Sequence, residues 1–275
     1  MSEFIFEDKK VYYETYGEGQ PILLLNGIMM STASWEAFKS SFSAYNKLIL
    51  VDFLDQGKSE RLKFSYTLCL QVKMLKALLE HIGENSVNIV GISYGSSIAL
   101  NFALSYPVCV KRLVIFNGAA RTSKWLTEIG WAWKEALKLP DGKGFYYTTI
   151  PPIYSTRFYD EHYDWMKKRA QKLIPYFGTT HVKESLRRLT TSSEGYDIAD
   201  KLCDIKCKTL IVSATEDMLI PQVEQEILQA NIPNSQMVII PHCGHASMYE
   251  VPMLFAALCL GWINVPEEDF SSILR

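Results

Sequence analysis

The chain has 275 residues, 48% of them hydrophobic and 21% charged, with a formal net charge of −2. Those values suit one globular core carrying a sizeable insertion rather than two independent domains. The near-balanced charge excludes any whole-chain attraction to nucleic acid or acidic membranes.

Met1 to Asp8 has neither a basic stretch nor an apolar segment, so no secretory signal is expected. Phe4 to Tyr16 alternates apolar and polar residues and predicts a hairpin turning at Glu7-Asp8-Lys9. Ile22 to Leu25 is a continuous apolar run, as expected of a strand buried on both faces, and it ends in Asn26-Gly27-Ile28. Ser31-Thr32 is placed to cap a helix containing Trp35, Phe38 and Phe42. Lys47 to Asp52 is a further buried strand and leads into the loop Asp55-Gln56-Gly57-Lys58-Ser59. Helical spacing runs from Tyr66 to His81, and Lys111 to Asn117 is another strand. This alternation of strand and helix predicts an α/β fold, with a mostly parallel sheet flanked by helices.

The alternation stops after Gly118. Residues 121–205 are rich in helix formers and aromatics and predict an inserted helical lid, which leaves 1–120 and 206–275 as the core. Thr209 to Ser213 and Gln236 to Pro241 resume the strands, and a last helix is expected from near Met248 through Trp262. The longest apolar run, Val251 to Val265, is too short to span a bilayer and predicts no membrane role. Six scattered cysteines without a C-x-x-C pair predict reduced thiols in a cytoplasmic protein. Cys203 and Cys207 are spaced to share a helical turn, but two independent, half-buried thiols are expected rather than a metal or redox pair.

The chemistry centres on Asn88 to Ser96. A buried strand ends at Gly91, Ser93 follows, and Gly95 precedes a helical run from Ser97 to Leu104. Such a turn is too sharp for side chains on its flanks, which the two glycines provide for, and it exposes the serine hydroxyl above a helix N-terminus that favours negative charge. A serine needs a base, and the base needs an orienting acid. His242 and His245 both follow the last strand and reach the edge of the sheet where ligands bind. His245, after a glycine and before the last helix, is the expected base. His242 and His245 as a metal pair lack a nearby third ligand, so no metal or cofactor is expected. Glu216 and Asp217 leave the preceding strand at the same edge. An oxyanion would need two backbone donors, expected from the N–H groups of Tyr94 and Ile28.

Together Gly91-Ile92-Ser93-Tyr94-Gly95, Asn26-Gly27, the Asp52–Ser59 loop, Glu216 to Pro221, and Gly244-His245 with Glu250-Val251-Pro252 resemble the α/β-hydrolase family. More narrowly, they look like its lidded branch of esterases, lactonases, haloperoxidase-like enzymes and C–C hydrolases. The resemblance implies Asp217 as the acid, in the family's order of serine, acid and histidine. The other acid position used by relatives falls on Asn117 or Gly118, which cannot serve. Three departures stand out: Asn26 replaces the usual histidine, Ser96 a glycine after the elbow, and Asp55 the first glycine of the Asp52–Ser59 loop. Relatives with an aspartate nucleophile, the haloalkane dehalogenases and epoxide hydrolases, are excluded by Ser93.

The expected activity is hydrolysis of a small carboxylic ester, thioester or lactone through an acyl-enzyme on Ser93. C–C bond hydrolysis is the alternative reaction, and a small-molecule receptor with little turnover is the alternative of another class. The lid aromatics favour an apolar or aromatic acyl group. The run Lys167 to Lys172, with Arg187-Arg188, reads either as a solvated helix face or as a contact for an anionic carrier such as coenzyme A or an acyl carrier protein.

Overall fold

The computed structural model describes residues 2–265, so Met1 and residues 266–275 of the expected core lie outside the described residues. In chain order the strands are β1 (Ser2–Phe6), β2 (Lys9–Tyr16), β3 (Gln20–Leu25), β4 (Asn46–Val51), β5 (Val87–Ile92), β6 (Val110–Phe116), β7 (Lys208–Ala214) and β8 (Ser235–Ile240). They form one sheet in the order β1-β2-β4-β3-β5-β6-β7-β8. The β1–β2 and β2–β4 pairs are antiparallel and every other pair is parallel. The hairpin turns where expected, with Glu7 and Asp8 both at positive φ.

Side chains alternate between the two faces of a strand, and this divides the core in two. Leu23, Leu25, Ile49, Ile89 and Ile115 face one cluster, with helices α2 (Leu68–His81) and α3 (Tyr94–Ser105) packed over it. Ile22, Leu24, Leu50, Val90 and Phe116 face the other, which holds Trp35, Phe42 and Phe255. Continuous apolar runs are therefore needed in the central strands, because both faces are dry.

Two expected helices differ in detail. The segment holding Trp35 and Phe38 is a 3-10 turn over Thr32–Phe38, and only α1 (Lys39–Ser43) is α-helical. Helix α9 (Gln222–Asn231) follows β7, and the last helix is broken into α10 (Ser247–Glu250) and α11 (Pro252–Asn264). Pro252 lacks an N–H and disfavours helical geometry at Val251, which sits at φ −133. Among the described residues no helix is long and apolar enough to cross a membrane. Cys203 lies in a 3-10 turn, Ala199–Asp204, that ends before Cys207, so the two share no helical turn.

Between β6 and β7 the chain forms α4 (Lys124–Ala136), α5 (Lys143–Thr149), α6 (Thr156–Glu161), α7 (Tyr163–Gly178) and α8 (Thr180–Ser192). Their own core, with Phe145, Tyr146, Met166 and Phe177, rests on Ala119, Leu219, Ile220 and Ala246. All four follow strands at the C-terminal edge of the sheet. A short stem closes the insertion: Thr122 N–H donates to Tyr196 O (2.7 Å) and Ile198 N–H to Ala120 O (2.9 Å). Beyond that stem Ile198, Leu202 and Ile205 pack into the sheet core, ahead of the expected boundary at 205.

Glu14 ties the antiparallel edge to α1. Its carboxylate accepts hydrogen bonds from Tyr12 Oη (2.7 Å) and Tyr16 Oη (2.8 Å) and pairs with Lys39 Nζ (2.9 Å). Burial alone would raise its pKa, but these three donors override it and hold the carboxyl at about 2, against the ordinary 4.5. A depressed folded-state pKa adds stability that is complete above the unfolded value and is lost as pH falls toward the folded one. Urea midpoints of the native chain should therefore drop between about pH 6 and about pH 3.5, and the drop should be smaller in Glu14→Gln.

Candidate active site

Ser93 stands at the tip of the turn between β5 and α3, at φ 53 and ψ −116, a conformation that costs a non-glycine residue of order 1–3 kcal/mol. The cause is crowding. A Cβ on Gly91 would lie 2.6 Å from Gly95 O, and one on Gly95 would lie 2.4 Å from Leu25 O. Ser96, one of the departures, donates its hydroxyl to Gly91 O (2.8 Å) and Phe116 O (3.0 Å). Gly118 leaves the room for it, since a Cβ there would lie 2.6 Å from Ser96 Cβ.

Asp217 and His245 meet at the ends of β7 and β8. His245 Nδ1 lies 2.7 Å from Asp217 Oδ2, and both side chains are buried. Asp217 Oδ1 accepts the N–H groups of Leu219 and Ile220, each at 2.9 Å, which fixes the carboxylate plane. His242 is exposed and turns to Glu216 at 3.5 Å, away from Asp217. Cys243 lies beside this cluster, and burial first, with Glu250 and Asp217 nearby, pushes its thiol well up, so it stays protonated.

Ser93 and His245 line one cavity of about 650 Å³, beneath α4 and α7. No direct hydrogen bond joins them among the described residues; such contacts are commonly long until substrate enters. Ile28 also lines this cavity, and a smaller cavity of about 80 Å³ is lined by Ser93, Tyr94 and Ile28 as well. Among the described residues neither the Ile28 nor the Tyr94 backbone N–H donates to a protein group. Unspent donors beside a serine are what an incoming oxyanion requires.

Two features of the site escaped the sequence. Asn117, rejected as an acid, has its Nδ2 2.8 Å from Asp217 Oδ2 and accepts the Ser247 hydroxyl at 3.1 Å. Its φ of 49 suits asparagine, and the strand-end position was the only clue. The basic run of the insertion also divides. Arg188 is buried against Asp55, Lys167 pairs with Asp164, and Arg169 stacks on Trp165 and Tyr249 at 5.2 and 4.9 Å. Arg169 and Lys172 line the cavity that holds Ser93, and the buried Arg169 Nε has no hydrogen-bond partner. The insertion's aromatics divide too: Trp133, Phe145, Tyr146, Tyr154 and Phe177 are buried, whereas Trp125, Trp131 and Tyr147 are exposed.

A strand, a serine elbow and a histidine gripped by a strand-end carboxylate recur in known proteins. The family model for the alpha/beta hydrolase fold matches residues 20–252. The chain belongs to that family. The solved structure of MGS-M2, an alpha/beta hydrolase enzyme from a Medee basin deep-sea metagenome library, is 48% identical, with a TM-score of 0.96 over 98% of this chain and 100% of that one. A protein of Azorhizobium caulinodans named as a carbamate hydrolase, RutD, is 27% identical over 93% of this chain and 95% of its own. A 2-hydroxy-6-oxononadienedioate/2-hydroxy-6-oxononatrienedioate hydrolase of Paraburkholderia phymatum is 24% identical over 93% and 91%. The relatives are hydrolases.

Asn117→Ala removes one donor from Asp217 and the acceptor of Ser247. A net loss of about 1–2 kcal/mol in holding the carboxylate should lower kcat for hydrolysis about tenfold, with KM little changed.

Proposed function

We propose that the chain is a serine hydrolase that cleaves a small carboxylic ester, thioester or lactone. The observation that carries this reading is the 2.7 Å contact of His245 with Asp217, on the wall of a cavity whose floor holds Ser93. In this mechanism His245 Nε2 takes the Ser93 proton as Oγ attacks the carbonyl carbon. Asp217 accepts the Nδ1 proton of His245 by hydrogen bond and stabilises the imidazolium that forms. The oxyanion is held by the N–H groups of Ile28 and of Tyr94 at the start of α3. His245 then gives its proton to the leaving oxygen or sulfur, and the acyl group stays on Ser93. Water enters, gives a proton to His245 and attacks the acyl carbon; His245 returns that proton to Ser93 Oγ as the acid leaves. A carbamate would follow the same steps, in keeping with the name of the Azorhizobium relative. We read the insertion between Thr122 and Asp197 as a lid over this reaction.

A second reading, C–C bond hydrolysis, is favoured by one observation. Arg169 and Lys172 place positive charge in the cavity, as a substrate bearing a carboxylate requires. The Paraburkholderia relative is named for substrates of that kind. An anionic carrier would meet Lys167 and Lys168 outside, because Arg169 and Arg188 turn inward; parallel assays of acyl-CoA and simple esters test this.

A fluorophosphonate probe should label the folded chain at Ser93, and Ser93→Ala should abolish labelling. Absence of labelling in the native chain would favour a receptor with little turnover. Arg169→Met should raise KM about tenfold for esters carrying a distal carboxylate and leave neutral esters of the same length unchanged, as loss of a charge-assisted contact of about 1.5 kcal/mol requires.

A further inference from the structure

Two of the departures from the family pattern, Asn26 and Asp55, flank Gln56: Asn26 through a side-chain hydrogen bond and Asp55 as its neighbour along the chain. Gln56 Nε2 donates to Gly27 O at 2.9 Å and to Ile28 O at 3.2 Å. Gly27 O belongs to the same planar peptide unit as the Ile28 N–H. Gripping the oxygen therefore fixes the direction of the N–H, which points the opposite way across the peptide, and Ile28 lines the cavity shared with Ser93. Met30 N–H donates to the same oxygen at 3.1 Å, and donors on a carbonyl strengthen the N–H across the peptide.

The Gln56 amide is itself held. Asn26 Nδ2 donates to Gln56 Oε1 (3.1 Å) and to Val51 O (2.9 Å), and Asn26 Oδ1 accepts the Trp35 indole N–H (2.7 Å). That set turns the Gln56 NH2 toward the two carbonyls. Its neighbour Asp55 sits at φ 71 and is clamped by helix α8. Arg188 Nη2 lies 2.6 Å and Nε 3.0 Å from the Asp55 carboxylate, and the Ser185 hydroxyl lies 3.0 Å from it. All of these side chains are buried.

We propose that Gln56 is a positioning residue that aims and polarises the Ile28 N–H, and that Asp55 makes this depend on α8 being seated on the core. The inference rests on the serine-hydrolase reading, in which Ile28 N–H binds the oxyanion. An insertion displaced at α8 releases Asp55, loosens Gln56 and leaves the oxyanion donor unaimed. Turnover is thereby coupled to closure.

The test uses p-nitrophenyl acetate turnover and the rate of fluorophosphonate labelling of the full chain. Gln56→Met keeps the length and removes the donors; kcat and the labelling rate should both fall about tenfold to a hundredfold, less than loss of an oxyanion donor itself, with KM nearly unchanged and Tm lowered by the buried groups it leaves unpaired. Gln56→Glu turns an acceptor toward two carbonyl oxygens while ionised and a donor once protonated. Its kcat relative to the native chain at each pH should therefore recover as pH falls. Arg188→Met alone strands a buried carboxylate and threatens folding, so Asp55→Gly/Arg188→Met removes both partners. It should remain folded and lose kcat severalfold at constant KM. Native-like kcat and labelling in a folded Gln56→Met variant overturn the proposal while leaving the hydrolase reading intact. An unlabelled native chain overturns both.

Discussion

The structure depends on how closely backbone packs around the Ser93 turn. Strand β5 ends, the chain reverses and α3 begins with Gly91 and Gly95 in contact, while Leu25 O of β3 presses on Gly95. No side chain fits between these atoms. The close approach brings the end of β3, and with it the loop from Asn26 to Ile28, beside the nucleophile. It also sets α3 over the β3–β5–β6 sheet, so that its first N–H groups open toward the space above Ser93. A methyl at either glycine would force these strands and the helix apart, and the pieces of the site would separate together.

Polar anchors then hold the insertion to that platform. Asp55 with Arg188 joins α8 to the loop after β4. Glu250 joins the insertion to the histidine loop, accepting the Ser155 N–H (2.8 Å), the Ser155 hydroxyl (2.6 Å) and the Gly244 N–H (3.1 Å). Buried ionic groups add little net stability, because desolvation offsets their attraction, but they tolerate few alternative partners. They therefore specify where the insertion sits more than how tightly it is held. Apolar contacts from Leu219, Ile220 and Ala246 supply the burial. Each anchor touches the surroundings of a group that the proposed chemistry uses: Asp55 precedes Gln56 in the chain, and Glu250 accepts the N–H of Gly244, which precedes His245.

Much of this was legible in the residues. The hairpin, the parallel strands, the elbow and the histidine after the last strand follow from local pattern, because apolar runs, glycine pairs and chain order are one-dimensional signals. The charged stretch of α7 and α8 was not. Lys167, Arg169 and Arg188 look alike in sequence, yet one is exposed, one lines the cavity and one is buried on Asp55. Asn117 was read as an acid position left empty, when its amide donates to the Asp217 carboxylate after the next strand. Asn26 and Asp55 read as isolated exceptions, when one holds the Gln56 amide and the other joins the residue beside it to α8.

The sequence by itself determined the α/β alternation, the place of the insertion and the order of Ser93, Asp217 and His245 along the chain. Each of these is written in residues that are neighbours, or in the period with which apolar residues recur. Tertiary structure alone decided which cations face the cavity, which asparagine supports the carboxylate and how the Ile28 peptide is held. Those outcomes rest on contacts between residues 29 to 133 positions apart. A side chain's environment at that range is set by the packing of whole elements, and no local pattern carries it.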